Sequence, residues 1–391
     1  MSERRRRRLL LAVLVYNGQA FVPACLESVA RLRDRSRTVD VDALVLDDAS
    51  PAPGWSGELE SLCEHLGLGY YCSPRNLGIP RNMNLALLRS LRAGHDHVLI
   101  ANSDTVFPAN LADQLVAVAQ SDPGIGSVAA WSNNIAIYSL PVQSSPELKE
   151  PEAVDWLSGV LAGEFGLSTL DVPSGVGFCL LMPTDAVRRV GLFDPVFGRG
   201  YCEEVDWCIR SGRMGYRITV APGVFVYHQG RGSTEAAGLI RRESDSVEAN
   251  ERILDLRYPE FRGAVDDFLR SDTLDRMRAR AVDRIITEAA QRWGYSVEAS
   301  WLPRPAGDDN GVRFSVEPDG QVPAVRAEFL GFRSQWVLEG RGLLAELLRT
   351  LGRPPDRVNV FDRGRFTDLL REETARAGIR LDDRCGYPER V

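Results

Sequence analysis

The stretch His97-Val98-Leu99-Ile100-Ala101-Asn102-Ser103-Asp104 indicates the kind of fold that this chain adopts. Its first five residues form a short, mainly apolar run between two helical patterns, which is typical of a buried strand in a parallel sheet. Polar residues directly past the carboxyl end of such a strand lie where open α/β sheets bind ligands. An amide and a carboxylate two residues apart at that edge suit a hydrated divalent cation, although Asn-Ser-Asp is also an ordinary turn sequence.

Strand and helix patterns alternate from the start of the chain to about residue 120. The predicted strands are Leu9–Val15, Ala43–Leu46, Tyr70–Cys72 and Val98–Ala101, and the predicted helices between them are Phe21–Leu32, Glu58–Leu66 and Arg81–Leu91. This alternation predicts an α/β fold with a mostly parallel sheet and crossover helices.

The patterns become less regular further along the chain. Ser139–Val172 is rich in proline, serine and acids, which predicts an irregular excursion that forms a wall of the active site. The pattern then predicts a strand at Gly175–Met182, a short helix capped by Thr184, a helix at Glu203–Met214, strands at Tyr216–Val220 and Val224–Val226, and two or more helices between about residues 239 and 290. Pro303–Asp309 is a predicted linker, and a β-α-β-like run follows in the last 80 or so residues.

Composition excludes some classes of function. With 391 residues, a net charge of −7 and a pI near 5.4, the chain is a poor candidate for a nucleic-acid partner. Its seven cysteines are scattered without a Cys-x-x-Cys pair, which favours a reducing, cytoplasmic compartment. The apolar segment Leu9–Val15 is too short for a signal peptide or a membrane span. The basic run Arg4–Arg8 before it leaves weak peripheral contact with anionic lipid as an open interpretation.

Three further polar clusters lie beside predicted strand ends or helix starts. Asp47 and Asp48 end the second strand, where an acid can accept a hydrogen bond from a base or a ribose. The first strand is not followed by Gly-x-Gly-x-x-Gly, so the dinucleotide-binding interpretation fails. Asn76-Leu77-Gly78 precedes Arg81, and an arginine near a helix N-terminus suits a diphosphate.

The third cluster is the pair Glu203-Glu204, which opens a helix behind a glycine-rich loop. These acids either point at a cavity or complement the helix dipole. His228 follows a predicted strand and precedes a second glycine-rich loop; a lone histidine is more often structural than a ligand, but its position makes it a candidate.

Together these residues resemble the inverting glycosyltransferases of family 2, which have a GT-A fold. The resemblance spans roughly residues 8 to 235 and rests on five clusters in order: Val13-Leu14-Val15-Tyr16-Asn17, Asp47-Asp48-Ala49-Ser50, Asn76-x-Gly78 with Arg81-Asn82, Asn102-Ser103-Asp104-Thr105, and Gly191-Leu192-Phe193-Asp194 followed by Tyr201 to Trp207. Asn102-Ser103-Asp104-Thr105 resembles the Asn-x-Asp-Thr variant of the family's Asp-x-Asp metal motif, a variant of rhamnosyltransferase-like and polysaccharide-assembly members. In the last cluster Glu204 stands where the family usually has Asp.

The resemblance implies a role for each cluster. Asp47 would contact the nucleobase beside Tyr16 and Asn17, while Arg81 and the loop Asn76–Gly78 would lie near the nucleotide and its diphosphate. Asp104 and His228 would bind Mn²⁺ or Mg²⁺, and their mixed oxygen and nitrogen ligands lean toward Mn²⁺. Asn102 would touch ribose.

The same resemblance implies the chemistry. Glu204 would be the general base that deprotonates the acceptor hydroxyl, with Glu203 as the alternative. The donor would be a nucleotide-diphosphate sugar, and the acceptor a glycan, a lipid-linked glycan or a natural product. A catalytically silent GT-A-like binding module and a sugar nucleotidyltransferase are the alternative functions.

The predicted organisation has three parts. Residues 1–235 form the GT-A catalytic domain, residues 236–302 a helical extension, and residues 303–391 a small appended subdomain whose role the sequence does not reveal.

Overall fold

The structure is a computed structural model that describes residues 5–140, 146–230, 240–299, 311–317, 324–337, 342–361 and 365–385. Contacts group the chain into two compact units. The first contains Met1–Leu140 and Leu148–Leu274, and the second contains Pro141–Glu147 and Asp275–Val391. The predicted division into three functional parts stays a prediction.

The first unit alternates strands and helices over most of its length. Its strands are β1 (Arg7–Val15), β2 (Val39–Asp47), β3 (Gly69–Cys72), β4 (His97–Asn102), β5 (Thr105–Val106), β6 (Ile125–Ser132), β7 (Leu170–Asp171), β8 (Cys179–Pro183) and β9 (Arg217–His228). Its helices are α1 (Val22–Arg35), α2 (Trp55–Leu66), α3 (Ile79–Ala93), α4 (Leu111–Ser121), α5 (Pro151–Phe165), α6 (Thr184–Val190), α7 (Glu203–Arg213), α8 (Ile240–Arg257) and α9 (Phe261–Arg270), with short 3₁₀ helices at Pro146–Lys149 and Pro195–Phe197.

The strands of the first unit form one nine-stranded sheet in the order β3-β2-β1-β4-β8-β6-β9-β5, with β7 also paired to β9. Strands β1 to β4 pair in parallel, so their carboxyl ends share one edge. Strand β8 is antiparallel to both β4 and β6. The predicted α/β class, a Rossmann-like, mostly parallel sheet flanked by helices, is confirmed.

Burial explains why these segments form the elements that they do. Helix α1 buries Val22, Leu26 and Val29, whose spacing of four and three residues places them on one helix face. In strand β1, Leu9 to Val13 are all buried. The sequence of this strand is a continuous apolar run because both of its faces are covered. The core of this unit therefore lies on both sides of the central strands.

The segment predicted to be an irregular excursion contains a helix. Helix α5 spans Pro151–Phe165 and buries Val154, Leu157 and Leu161, which are spaced three and four residues apart. This helical spacing is present in the sequence, but the glycines at 159 and 163 and the surrounding prolines and acids obscure it. The segment is therefore not an irregular wall over its whole length.

Two smaller predictions were also wrong. Thr184 does not cap α6 but is its first residue, and its hydroxyl donates to the backbone carbonyls of His95 and Asp96. The two strands predicted between Tyr216 and Val226 are one strand, β9, whose pairing with β6 shifts register after Ala221. A proline and a glycine at 222 and 223 occupy that bulge, which is why the sequence pattern looked interrupted.

The second unit contains a separate six-stranded sheet in the order β13-β12-β11-β10-β14-β15. Its elements are helix α10 (Thr273–Trp293), strands β10 (Tyr295–Ala299), β11 (Val312–Glu317), β12 (Ala324–Phe329) and β13 (Phe332–Val337), helix α11 (Leu343–Leu351), strand β14 (Arg357–Val360), helix α12 (Arg365–Ala377) and strand β15 (Leu381–Asp383). The predicted β-α-β run is thus confirmed as β14, α12 and β15, which pair in parallel. The predicted linker at 303–309 lies outside the described residues.

The basic run at the N-terminus is engaged within the protein. Three of its arginines form ion pairs at 3.1 Å: Arg6 with Asp40, Arg7 with Asp96 and Arg8 with Asp42. These guanidinium groups therefore help to hold the amino ends of the central strands together. Among the helices of the described residues, none is both long enough and apolar enough to cross a bilayer.

We expect Leu99→Ala to destabilise the first unit by about 2–5 kcal/mol, because Leu99 is fully buried in β4 and its truncation leaves a cavity. Leu256→Ala is the matched control, since that side chain is 87% exposed and the change should stay within about 0.5 kcal/mol. Urea unfolding followed by circular dichroism measures both. Equal midpoints for the two variants would contradict the burial of β4.

Candidate active site

The polar clusters predicted from the sequence meet at the carboxyl edge of the parallel strands. In the register of the sheet, Val15 at the end of β1 lies beside Asp47 at the end of β2, and Leu14 lies beside Asn102 at the end of β4. Asp47 in turn pairs with Cys72 at the end of β3. The loops that follow these four strands are therefore neighbours in space.

Asp47 is fully buried and its carboxylate organises the turn that follows β2. Its Oδ1 accepts hydrogen bonds from the backbone N–H and the hydroxyl of Ser50, at 3.0 and 2.6 Å. Its Oδ2 accepts from the hydroxyls of Ser56 and Tyr70, at 2.7 and 3.1 Å. These four bonds use the acceptor capacity of a carboxylate, so a contact from Asp47 to a nucleobase would require one of them to be given up.

Asn17 is tied to the same turn. Its backbone N–H donates to the Ser50 hydroxyl at 2.8 Å, and its φ of 59° places it in the left-handed region. The side-chain Oδ1 of Asn17 is buried and has no hydrogen-bond partner among the described residues. Tyr16, half-buried, precedes it. An unpaired buried acceptor beside the end of β1 suits an N–H or hydroxyl donor from a ligand.

Asp48 holds the next loop in place, a role that the sequence interpretation missed. Its carboxylate accepts hydrogen bonds from the backbone N–H groups of Leu77 and Gly78, at 2.7 and 3.0 Å. The side chain of Asn76 reaches back to the Asp48 carbonyl at 3.4 Å. Burial raises the pKa of Asp48, and the two N–H donors only partly offset that effect. The second acid of the pair thus shapes the predicted nucleotide loop.

Gly78 brings this loop against the loop that leads to Glu203. A Cβ at Gly78 would lie 2.3 Å from the carbonyl oxygen of Gly198, and φ there is 80°. The backbone N–H of Ile79 donates to the Arg199 carbonyl at 3.2 Å.

Arg81, in the first turn of α3, has an exposed side chain. Its guanidinium has no hydrogen bond or ion pair among the described residues, which leaves it available to an anion.

Asp104 and His228 come together although they are far apart in the sequence. Strand β5 pairs Thr105 with His228, and the Asp104 Oδ1 lies 3.3 Å from the His228 Nε2. Burial lowers the pKa of His228, but the hydrogen bond and charge of Asp104 outweigh it, so the pKa is raised above the usual value. The structure therefore places these two residues side by side, and their role as metal ligands stays a prediction.

Asn133 and Asn134, at the end of β6, fix the orientation of His228. Asn133 exchanges two hydrogen bonds with the His228 backbone, at 2.8 and 3.0 Å. The His228 Nδ1 lies 2.8 Å from the Asn134 carbonyl, which can only accept, so Nδ1 carries a proton and Nε2 faces Asp104. The sequence signal for this pair, polar residues directly after an apolar run, is the same one that singled out Asn102 and Asp104.

Glu203 and Glu204 begin α7, and both place a carboxylate oxygen in a buried position. Oε2 of each residue is buried and lacks a hydrogen-bond partner among the described residues. The Glu204 carboxylate lies against Gly177, whose backbone N–H donates to it. Burial raises the pKa of Glu204, and burial together with the neighbouring Glu204 charge raises that of Glu203 well above its usual value.

Comparison with known protein families finds one match. Residues 11–187, a little under half of the chain, match the family model described as Glycosyl transferase family 2. This segment is therefore similar to that family. The family segment includes the loops of Tyr16, Asp47, Asn76 and Asn102, while Glu204 and His228 lie beyond its end but in the same compact unit. The match supports glycosyl transfer as the class of reaction of this segment.

Several solved structures are similar to the chain at low sequence identity. A crystal structure of GalNAc-T7 with UDP, GalNAc and Mn²⁺ is 12% identical with a TM-score of 0.44, over 58% of this chain and 44% of that one, so less than half of GalNAc-T7 is matched. The mannosyltransferase PcManGT from Pyrobaculum calidifontis, in complex with GDP-Man and Mn²⁺, is 18% identical with a TM-score of 0.46, over 74% of this chain and 76% of that one. TarS residues 1–349 from S. aureus is 14% identical with a TM-score of 0.42, over 73% and 82%. None of the curated proteins matches the chain.

Two side chains of the first unit fit a divalent cation. Asp104 supplies a carboxylate and His228 an imidazole nitrogen whose ring is oriented from behind by the Asn134 carbonyl, as is usual for metal-binding histidines. In the described ranges no group of three or more His, Cys, Asp or Glu side chains converges on one point. Two protein ligands suffice where phosphate oxygens of the substrate supply the rest.

We expect Gly78→Ala to lower the stability of the first unit by about 1–3 kcal/mol and to weaken nucleotide binding. The added Cβ would clash with the Gly198 carbonyl, and the residue would keep a positive φ. Gly57→Ala is the control, because nothing lies within 4 Å of a Cβ there and the site is helical, so stability should stay equal or rise by up to about 1 kcal/mol. Thermal unfolding with and without UDP and Mn²⁺ would measure both effects. An unchanged Gly78→Ala protein would rule out the close contact of the two loops.

Proposed function

We propose that the first unit transfers a sugar from a nucleotide-diphosphate donor to an acceptor hydroxyl, with inversion at the anomeric carbon and assistance from Mn²⁺ or Mg²⁺. The observation that carries this proposal is the dipeptide Gly177-Phe178, which lies between the two halves of the site. The Phe178 ring stacks on His228 with centroids 5.1 Å apart, and its carbonyl accepts from the Asn102 N–H at 2.9 Å. Gly177, one residue earlier, contacts Glu204.

This arrangement supports one site with two functions. On one side, Asp104 and His228 would hold the cation, which when bound offsets negative charge that develops on the leaving diphosphate. On the other side, Glu204 is a carboxylate with a raised pKa and an unpaired oxygen, as expected of a general base. A donor lying across Gly177-Phe178 would have its anomeric carbon between these groups.

The proposed reaction is a single displacement. The acceptor hydroxyl gives its proton to the Glu204 carboxylate while its oxygen attacks the anomeric carbon from the face opposite the diphosphate. The bond between the anomeric carbon and the diphosphate oxygen breaks, and its electron pair leaves with the nucleoside diphosphate. One displacement of this kind inverts the configuration of that carbon.

The choice of Glu204 over Glu203 rests on their surroundings. Glu204 contacts Gly177, next to the residue that stacks on His228. Glu203 is only 3% exposed, and burial together with the neighbouring charge of Glu204 raises its pKa well above the usual value. We therefore assign proton removal to Glu204 and a neutral, supporting role to Glu203.

The donor would occupy the loops at the ends of β1 to β4. We assign its diphosphate to Arg81 and the Asn76–Gly78 loop, its nucleoside to the Tyr16 and Asn17 region, and its ribose to Asn102. Asp47 remains a proposed contact of the base, and the four hydrogen bonds of its carboxylate favour an indirect part in which it shapes the turn that receives the base.

The acceptor in this proposal is a hydroxyl-bearing glycan, lipid-linked glycan or natural product, in a cytoplasmic setting. Peripheral contact with lipid gains no support from Arg6, Arg7 and Arg8, because all three are paired with carboxylates.

A panel of UDP, dTDP and GDP sugars with Mn²⁺ tests the function. Thermal stabilisation by one donor in the presence of Mn²⁺, followed by slow hydrolysis or transfer of its sugar, is the expected result. Binding without any hydrolysis or transfer would instead favour a silent binding module. Formation of a nucleotide sugar from a sugar phosphate and a nucleoside triphosphate would favour a nucleotidyltransferase.

We expect Asp104→Ala to abolish Mn²⁺-dependent binding of the donor while leaving the fold intact. The change removes the carboxylate that lies 3.3 Å from the His228 Nε2, and with it the negative charge that a cation requires. Isothermal titration of the nucleoside diphosphate with and without Mn²⁺ measures the loss. Asp185→Ala, a surface carboxylate that is 85% exposed on α6, is the control. An unaltered affinity in Asp104→Ala would remove Asp104 from the metal site.

We expect Glu204→Gln to keep donor affinity but lose transfer by about 10²–10⁴-fold, because the amide cannot accept the proton of the acceptor hydroxyl. Glu203→Gln is the matched control and should retain most of the activity, since glutamine resembles a protonated glutamate. Steady-state kinetics with the donor found in the panel measures both variants. The opposite ranking, with Glu203→Gln inactive and Glu204→Gln active, would show that Glu203 is the base.

A further inference from the structure

Helix α8 carries a buried amide side chain that donates hydrogen bonds to the loop preceding Glu203 and Glu204. Asn250 is only 6% exposed, and its Nδ2 lies within hydrogen-bond distance of three backbone carbonyls of one loop. These are the carbonyls of Phe197, Gly200 and Tyr201, at 3.0, 2.7 and 3.1 Å. Two N–H groups thus serve three acceptors, so the whole hydrogen-bonding capacity of this amide nitrogen is spent on the loop.

The backbone of this loop adopts an unfavourable conformation. Between 198 and 202 the φ angles of Gly198, Gly200, Tyr201 and Cys202 are 60°, 135°, 73° and 73°. Tyr201 and Cys202 are consecutive non-glycine residues in the left-handed region, a conformation that persists only where surrounding contacts enforce it. The carbonyls that Asn250 holds belong to this segment, and the two glutamates follow immediately.

A second attachment holds the helix that the loop leads into. Asp206, one turn into α7, is fully buried and accepts hydrogen bonds from Arg257 at 2.9 Å and from the Tyr258 hydroxyl at 2.7 Å. Arg257 ends α8 and Tyr258 follows it, and Arg257 also pairs with Asp194 at 2.8 Å. Asn250 therefore holds the loop that precedes the two glutamates, and Arg257 and Tyr258 hold the helix that contains them.

We propose that Asn250 is a positioning residue for the general base: it holds the loop 197–202 in its left-handed conformation so that the Glu204 carboxylate stays against Gly177. This inference rests on the proposed function. Asn250 lies outside the segment 11–187 that matches the family model, so it extends the machinery of the site into α8. It does not touch the reacting atoms and acts through the backbone of the loop.

The same geometry predicts which step depends on Asn250. The turn after β2 and the Asn76–Gly78 loop are held by the carboxylates of Asp47 and Asp48. The Arg199 carbonyl, which accepts from the Ile79 N–H, is not one of the three carbonyls that Asn250 holds. Loss of the Asn250 amide should therefore misplace the base without removing donor contacts. The effect should appear in kcat and leave the donor dissociation constant nearly unchanged.

Asn250→Leu tests this inference in the full chain, because leucine keeps the approximate volume and removes both N–H donors. We expect kcat to fall by about 10²-fold, the loss typical of a displacement of about 1 Å at a catalytic group, while the Kd for the nucleoside diphosphate with Mn²⁺ stays within about threefold. Amide hydrogen exchange should rise in the peptide that spans 197–204. Glu248→Gln, an exposed site on the same helix, is the control and should change neither quantity.

Asn250→Gln provides the rescue. It keeps the amide donor on a longer stem, so we expect its kcat to lie between that of the wild type and that of Asn250→Leu. Should Asn250→Leu fail to fold, a reduced kcat of Asn250→Gln at unchanged Kd would support the inference, and a wild-type kcat would overturn it.

The outcomes separate this inference from the proposed function. Wild-type kcat in a folded Asn250→Leu protein, or unchanged exchange in the 197–204 peptide, would overturn the positioning role and leave the glycosyltransferase function standing. Equal losses in kcat and in donor affinity would indicate a general structural role and would also overturn it. Absence of transfer by the wild-type protein with every donor would overturn the proposed function and this inference together.

Discussion

The parallel register of β1 with β2 and β4 is the constraint on which the site depends. It sets Val15 beside Asp47 and Leu14 beside Asn102, so that three loops leave the sheet at one edge. Successive side chains of a strand point to opposite faces, so a slip of one residue would move every one of these groups to the other side of the sheet. The buried apolar residues on both faces of β1 resist such a slip, and core packing thereby preserves the geometry of the polar edge.

Most of the acidic residues near this edge shape backbone loops. Asp47 closes the turn after β2, Asp48 holds the N–H groups of the next loop, and Asp206 anchors α7 to α8. Carboxylates suit this work because each can accept several hydrogen bonds in a buried place. Among the acidic side chains that the structure describes, the buried oxygens without a hydrogen-bond partner belong to Glu203 and Glu204, and this contrast supports the assignment of chemistry to that pair.

The residues of the site come from two stretches of the sequence. The donor side lies in the segment that matches family 2, whereas Glu204, His228 and Asn250 follow it in the chain. Gly177-Phe178 joins the two sides, through the stacking of Phe178 on His228 and the contact of Gly177 with Glu204. Two residues without any charge thus set the spacing between the proposed metal ligands and the proposed base.

The sequence alone determined the α/β class, the strand ends that bear Asp47, Asn102 and Asp104, and the resemblance to family 2, because apolar periodicity and polar residues at strand ends are local signals. It missed helix α5, whose spacing was masked by glycines and prolines, and it could not separate acids that shape loops from acids that are free to react. Only the tertiary structure decided that the Asp47 carboxylate accepts four hydrogen bonds, that the Asn134 carbonyl orients His228, and that Asn250 holds the loop before the glutamates. The partners of Asp47 lie up to 23 positions away, and those of His228 and Asn250 lie 94 and about 50 positions away, so no local pattern specifies these contacts.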